Sequence, residues 1–279
     1  MQINCLGGVS RMSPDAKFIR VLTMLKTISS IVIFSLIIGC EQSSDVTEPS
    51  EDYKRYDLGT TFAPSIFSSA FESGYSEFVD GKYHYTYSIT EVGALNIQSG
   101  KLVICEPLYF YDEVPVNLEI NPGKYKVYLS ESIISEGNKV IDKRNAFAKI
   151  VLNSGEAVEW EYIWTFGADG GTGGYIDFST LTEIVEKGDS EPFSNRLLKE
   201  FNKVQRIIEP FHDNYDNYHS FVNLEYGEGN LVAFSSGWGD GAYNSFLGKD
   251  KNGVAVEILT DLGVASWEPE ENLVRITSN

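Results

Sequence analysis

The sequence predicts a mainly β (α+β) fold, with β-sandwich-like antiparallel sheets and one helical insertion near residues 179–209. Three observations predict it. Apolar and polar residues alternate over several short segments, two other runs are apolar throughout, and one region alone has apolar residues spaced by three and four.

In chain order, the first element lies outside the fold. The uncharged stretch Thr27–Gly39 has an apolar core, Ile28–Ile38, that is too short to stay in a bilayer, where roughly 20 residues are needed. With Lys26 before it and the small Gly39 after it, this is the layout of a signal peptide, residues 1–39. A start at Met24 suits that length. Met12 is the other candidate, and a start at Met1 would put Cys5, Arg11, Asp15 and Arg20 ahead of the core. The string Leu36-Ile37-Ile38-Gly39-Cys40 resembles the lipobox of bacterial lipoproteins. That resemblance implies cleavage before Cys40, diacylglycerol on its thiol and a membrane anchor in the bacterial cell envelope. Acyl chains hold at about 0.8 kcal/mol per buried CH₂. Glu41 stands where an aspartate would favour inner-membrane retention, so the outer membrane is the expected location.

Residues 40–57 are polar, acidic and nearly free of aliphatic side chains, and read as a flexible tether. The globular domain spans 58–265, with 266–279 as a C-terminal tail. A short helix is expected around Pro64–Phe71. Tyr83, Tyr85 and Tyr87 then alternate with polar neighbours, as do Tyr125, Val127 and Leu129 after the turn pair Pro122-Gly123. Val158, Trp160 and Tyr162 follow the same rule, and Val254, Val256 and Ile258 make a late strand. Leu102–Cys105 and Leu231–Phe234 are continuous apolar runs, the pattern of strands covered on both faces. Thr180 with Glu183 forms a capping box for a short helix that Gly188 can end. A second helix starts at Ser190 with Pro192 in its first turn. Its apolar stripe is Phe193, Leu197, Phe201, Val204 and Ile208, and Pro210 stops it.

The chain carries 22 basic and 40 acidic side chains, a net charge of −18. Removing residues 1–39 takes away four basic groups and one acidic group, leaving 18 against 39 and a net charge of −21. Such a surface repels phosphate backbones, which argues against nucleic acid as a partner. It suits a basic protein or divalent cations, and it also serves solubility. After processing, Cys105 is the one unmodified cysteine, so stability must come from the core rather than from an internal disulfide. Its apolar neighbours, with no flanking base, read as an inert buried thiol.

Two glycine-rich segments concentrate the candidate chemistry: Gly167-Ala168-Asp169-Gly170-Gly171-Thr172-Gly173-Gly174, leading to Asp177, and Phe234-Ser235-Ser236-Gly237-Trp238-Gly239-Asp240-Gly241-Ala242-Tyr243, continuing to Gly248-Lys249-Asp250-Lys251-Asn252-Gly253. Glycine at this density serves positive φ or close backbone approach. No lysine follows the first string as a P-loop requires, and the second has the wrong spacing for a dinucleotide fingerprint. Two readings stand for Asp169 and Asp240. Converging on one pocket with Asp177 nearby, they would bind a divalent cation or act as an acid–base pair. Apart, each caps local backbone N–H groups in a tight turn. Trp238 is either an exposed platform for a sugar or protein or a plug over the turn. Asp250-Lys251-Asn252-Gly253 faintly matches the start of an EF-hand but reads better as a hairpin turn. Glu209, His212, Asp213, Asp216 and His219 would offer zinc ligands on a helix, but Pro210 and the interspersed Asn and Tyr residues read as an irregular loop. There is no Gly-x-Ser-x-Gly, His-Glu-x-x-His or Cys-x-x-Cys, which gives enzymatic readings little support.

These strings resemble the domain of unknown function 4241 family. The match falls on Gly167, Asp169, Gly171, Thr172, Gly173 and Asp177. It continues on Ser236, Gly237, Trp238, Gly239, Asp240, Gly241, Tyr243, Gly248, Asp250 and Gly253. Ser99–Leu102 running to Glu106-Pro107 is similar to the family's early strand, with Glu106 where an aspartate is usual. The likeness covers roughly residues 93–262 and implies a shared fold without an established activity. The expectation is therefore a lipid-anchored, non-enzymatic binding or immunity-like domain. The rival is a cation-dependent hydrolase using Asp169 and Asp240.

Overall fold

The computed structural model describes residues 56–110, 113–187, 192–204 and 220–274. Cys40 and the cluster from Glu209 to His219 lie outside them, as do Gly188 and Ser190. In chain order the elements are β1 (Thr61–Phe62), α1 (Ile66–Ser69), β2 (Ser76–Val79), β3 (Tyr83–Ile97), β4 (Leu102–Cys105), β5 (Gly123–Glu136), β6 (Lys139–Val151), β7 (Glu159–Ala168) and β8 (Thr172–Asp177). Then come α2 (Phe178–Lys187), α3 (Phe193–Val204), β9 (Phe221–Tyr226), β10 (Gly229–Ser235), β11 (Gly241–Lys249), β12 (Ala255–Asp261) and α4 (Pro269–Asn272).

The predicted class holds: two antiparallel sheets, mainly β, with a few short helices. The larger sheet runs β1-β7-β11-β12-β6-β5-β3-β2 and the smaller β4-β8-β10-β9. The apolar runs explain the layering. In β10, Val232 and Phe234 face the larger sheet while Leu231 and Ala233 face α2 and α3. β4 splits in the same way, with Leu102 and Ile104 on one side and Val103 and Cys105 on the other. The smaller sheet is thus a middle layer, which is why these strands lack polar positions. Full burial of a side chain such as Phe234 contributes about 1.5–3 kcal/mol. Asn230 stitches the layers together, its side chain accepting from Asn96 N–H at 2.8 Å and donating to Ala94 O at 2.8 Å.

Several boundaries differ from the sequence reading. Val158 and Val254 fall just outside β7 and β12, where the chain is turning, and are exposed. In α3, Phe193, Leu197 and Phe201 are buried, but Val204 in the last turn faces solvent. α2 begins at Phe178, two residues before Thr180. Its cap is Asp177, which accepts from Ser179 N–H at 3.0 Å.

The other face of the larger sheet is covered by α1 and by the residues after β12. Trp267 sits 5.0 Å from the Phe67 ring and 5.5 Å from Phe62. Val274 N–H donates to Thr61 O at 2.9 Å. Residues 262–274, which include all of the described part of the expected C-terminal tail, thus form a strap over an aromatic core. Asp261 holds the start of that strap by accepting from Gly263 N–H at 2.9 Å and Trp267 Nε1 at 2.8 Å. Burial pushes its carboxyl up to about 6, against the lowering pull of those two donors. A raised carboxyl favours the native state fully below its unfolded value, about 3.9, and that gain is lost as pH rises through 6. Relative to Asp261→Asn, the parent should gain about 2 kcal/mol in urea unfolding between pH 7 and pH 4. A pH-independent difference would contradict this assignment.

Candidate functional site

Topology brings the two glycine-rich segments together. β7 leaves the larger sheet and becomes β8 of the smaller, while β10 of the smaller sheet returns as β11 of the larger. β7 pairs with β11 and β8 with β10, so both crossings occur at one end of the molecule, side by side. Their backbones touch: Ser236 N–H donates to Gly171 O at 2.9 Å, and a Cβ on Gly171 would lie 3.5 Å from Gly239 Cα. That spacing would admit a Cβ; glycine is favoured at 171 by its φ of +63°, which L side chains rarely adopt.

Glu106 braces this end. Placed at 4% exposure by the end of β4, its carboxylate accepts from Asp169 N–H at 2.5 Å, Gly170 N–H at 2.9 Å and Thr172 Oγ1 at 3.0 Å. The sequence hint was an acid directly after a fully apolar strand, which must find donors once buried. Its partners are more than sixty residues away in sequence, so residue order alone did not reveal them. Glu106→Ala should cost about 2–3 kcal/mol by orphaning those N–H groups. Thermal unfolding checks it, and an unchanged melting temperature would refute the bracing role.

Asp177 has no solvent exposure. One oxygen accepts from Gln98 N–H at 3.1 Å, Ser99 N–H at 3.0 Å and Ser99 Oγ at 2.7 Å. The other accepts from Ser179 N–H and Ser179 Oγ. Both oxygens are therefore engaged in joining the 98–99 turn to the start of α2. Asp250 closes the β11–β12 hairpin, accepting from Asn252 N–H and Val254 N–H, each at 2.9 Å. The Val254 N–H bond chiefly holds its carboxyl below the ordinary range. This is the hairpin-turn geometry expected of Asp250.

Asp169 and Asp240 are different. Both are exposed, and among the described residues neither carboxylate has a hydrogen-bond or ion-pair partner. Gly241 pairs with Ala168, so Asp240 and Asp169 each lie one residue beyond that pair, at the same end of β7 and β11. Trp238 is 50% exposed, yet its Nε1 donates to Gly263 O at 2.9 Å. The Arg144 guanidinium lies 4.1 Å from its ring centroid. Arg144 itself is buried, bonded through Nε to Asp142 at 2.7 Å and through Nη1 to Gly237 O at 2.8 Å. Trp238 thus combines both readings, a tied-down indole with an open surface.

Elsewhere, burial pushes the Cys105 thiol well up, as an inert core cysteine requires. Among the described residues, no group of three or more His, Cys, Asp or Glu side chains is placed to hold a metal ion. No helix among them is long and apolar enough to cross a membrane.

A family model described as protein of unknown function, DUF4241, matches residues 95–165 and 161–260, more than half of the chain. Searches of curated proteins and of solved structures give no match. The matched stretch contains both sheet crossings, the brace Glu106 and the cap Asp177. The geometry described above is therefore that of a member of the DUF4241 family, to which this chain belongs.

Proposed function

We propose that the chain is a lipid-anchored, non-enzymatic binding domain of the bacterial envelope, acting in an immunity-like way on a basic protein. One observation carries the reading: the acidic groups in and around the glycine-rich segments divide into two kinds. Glu106, beside the crossings, and Asp177, at the far end of β8, are consumed by backbone N–H groups, whereas Asp169 and Asp240, at the crossings, stand exposed and have no hydrogen-bond or ion-pair partner among the described residues. Exposed carboxylates without partners contribute no stability, which supports a role toward something outside the chain. The net charge of −21 on residues 40–279 favours a basic partner, and the resemblance of Leu36–Cys40 to a lipobox supports an envelope location. Affinity capture from native envelopes should yield a basic protein at low salt that high salt releases. Finding no stoichiometric partner at low salt would contradict the reading. Metabolic labelling with a palmitate analogue should mark the chain and fail on Cys40→Ser; an unlabelled parent would remove the anchor.

The second reading, a cation-dependent hydrolase, draws on the placement of Asp169 and Asp240 at the same end of β7 and β11. Calcium and magnesium titrations by calorimetry separate the two. Binding that Asp169→Ala with Asp240→Ala abolishes would favour the hydrolase.

A further inference from the structure

Resting on the binding reading and deepening it, we infer that the partner docks at the sheet crossings. An arginine- or lysine-bearing segment lies across the open face of Trp238, its cation held by Asp169 and Asp240.

Of the four tryptophans, Trp160 is buried, Trp164 and Trp267 are part-buried, and Trp238 alone is exposed. An indole that merely plugged a turn would have left water as the others do. Arg144 covers one face, so the half that meets water is the opposite face and its rim. The ring is nonetheless fixed by Gly263 O at its nitrogen and by the guanidinium beneath. Ser236 Oγ and Tyr243 Oη both donate to Gly239 O, at 2.8 Å and 2.7 Å, and hold the rest of the loop. A rigid exposed aromatic loses little entropy when a partner settles on it, which is why tryptophan is enriched at binding hot spots.

The charges select the occupant. Asp142 neutralises Arg144 from within the fold, so Arg144 does not set the surface charge. Asp240 lies two residues from Trp238, and the Asp169 turn touches the same loop through Gly171 and Gly239. Two exposed carboxylates on the adjoining loops that carry the indole suit one incoming cation, which gains charge-assisted hydrogen bonds and a cation–π contact together. The most exposed aromatic among the described residues, Phe78 at 75%, is a poorer candidate: its neighbour Glu77 is already engaged by Tyr87 Oη, and its ring packs on His84.

The test is photocrosslinking in the cells that make the full chain, with benzoylphenylalanine placed at position 238 or, as a control, at position 78. The expected result is an adduct with a basic protein from 238 and none from 78, lost when Asp169→Asn and Asp240→Asn are added. Purified, that partner should bind Trp238→Ala and the double Asn variant at least about tenfold more weakly. Trp238→Phe, which keeps a stacking ring over Arg144, should fall in between. An adduct from 78 alone would leave the binding reading standing and overturn this surface. An adduct from 238 with an acidic protein, or one that survives the Asn changes, would overturn the cation-between-aspartates chemistry. No adduct from either position, with no partner in affinity capture, would remove both.

Discussion

Gly237→Ala is expected to lower stability by about 3 kcal/mol or more, an unusually large effect for one added methyl group. A Cβ at this position would stand 1.8 Å from Leu262 O, 2.9 Å from Leu262 C and 3.0 Å from Val264 Cγ2. Two of those atoms are backbone, so no rotamer change relieves the overlap. Either the strap after β12 must lift or the loop must back away. Lifting the strap strains the Trp238 bond to Gly263 O, and retreat of the loop strains the Arg144 bond to Gly237 O. Gly253→Ala is the control, because nothing lies within 4 Å of its Cβ position and only its φ of +77° opposes the change. That substitution should cost about 1 kcal/mol. Urea unfolding measures both, and near-UV circular dichroism reports the packing of Trp238. Equal losses for the two alanines would mean that loop and strap are not in contact.

The second large effect is expected at Asp177. Replacing it by alanine removes the acceptor for five donors: the N–H groups of Gln98, Ser99 and Ser179 and the hydroxyls of Ser99 and Ser179. Some donors at this buried position would have no water to turn to, and the loss should reach about 3–5 kcal/mol. Asp177→Asn keeps one acceptor oxygen but turns an amide toward donors, so it should recover only part of that. Hydrogen exchange adds a spatial check. Amides at the start of α2 and at 98–99 should lose protection together, since one carboxylate ties them. Loss confined to α2 would reduce Asp177 to a local cap.

The fold was legible wherever burial on one or two faces leaves a periodic trace. Tyr85 and Tyr87 alternate because β3 has one wet face, and Leu231–Phe234 is uniformly apolar because β10 is covered twice. What was illegible depends on distant partners. Asp177 and Thr180 both suit a helix start by local rules. Asp177 prevails because it also meets Ser99, seventy-eight residues away in sequence. Trp267 sits in the polar string Ser266-Trp267-Glu268-Pro269-Glu270, which reads as a tail until Asp261 and Phe67 receive its ring. The glycine strings were visible as unusual, but their purpose was not. That two chains cross between sheets at one place follows from strand order, which no local pattern carries. The same limit applies to the site, where glycine density located the loops but could not divide their acids into braces and free charges.

That division is most directly tested by comparing the unfolding free energy of Asp169→Ala/Asp240→Ala with that of Asp177→Ala under the same conditions. The double variant should stay within about 0.5 kcal/mol of the parent, or rise slightly as two like charges leave, while Asp177→Ala drops severalfold further. If the double variant instead falls as far as Asp177→Ala, the two aspartates hold the crossings together and are not there for a partner.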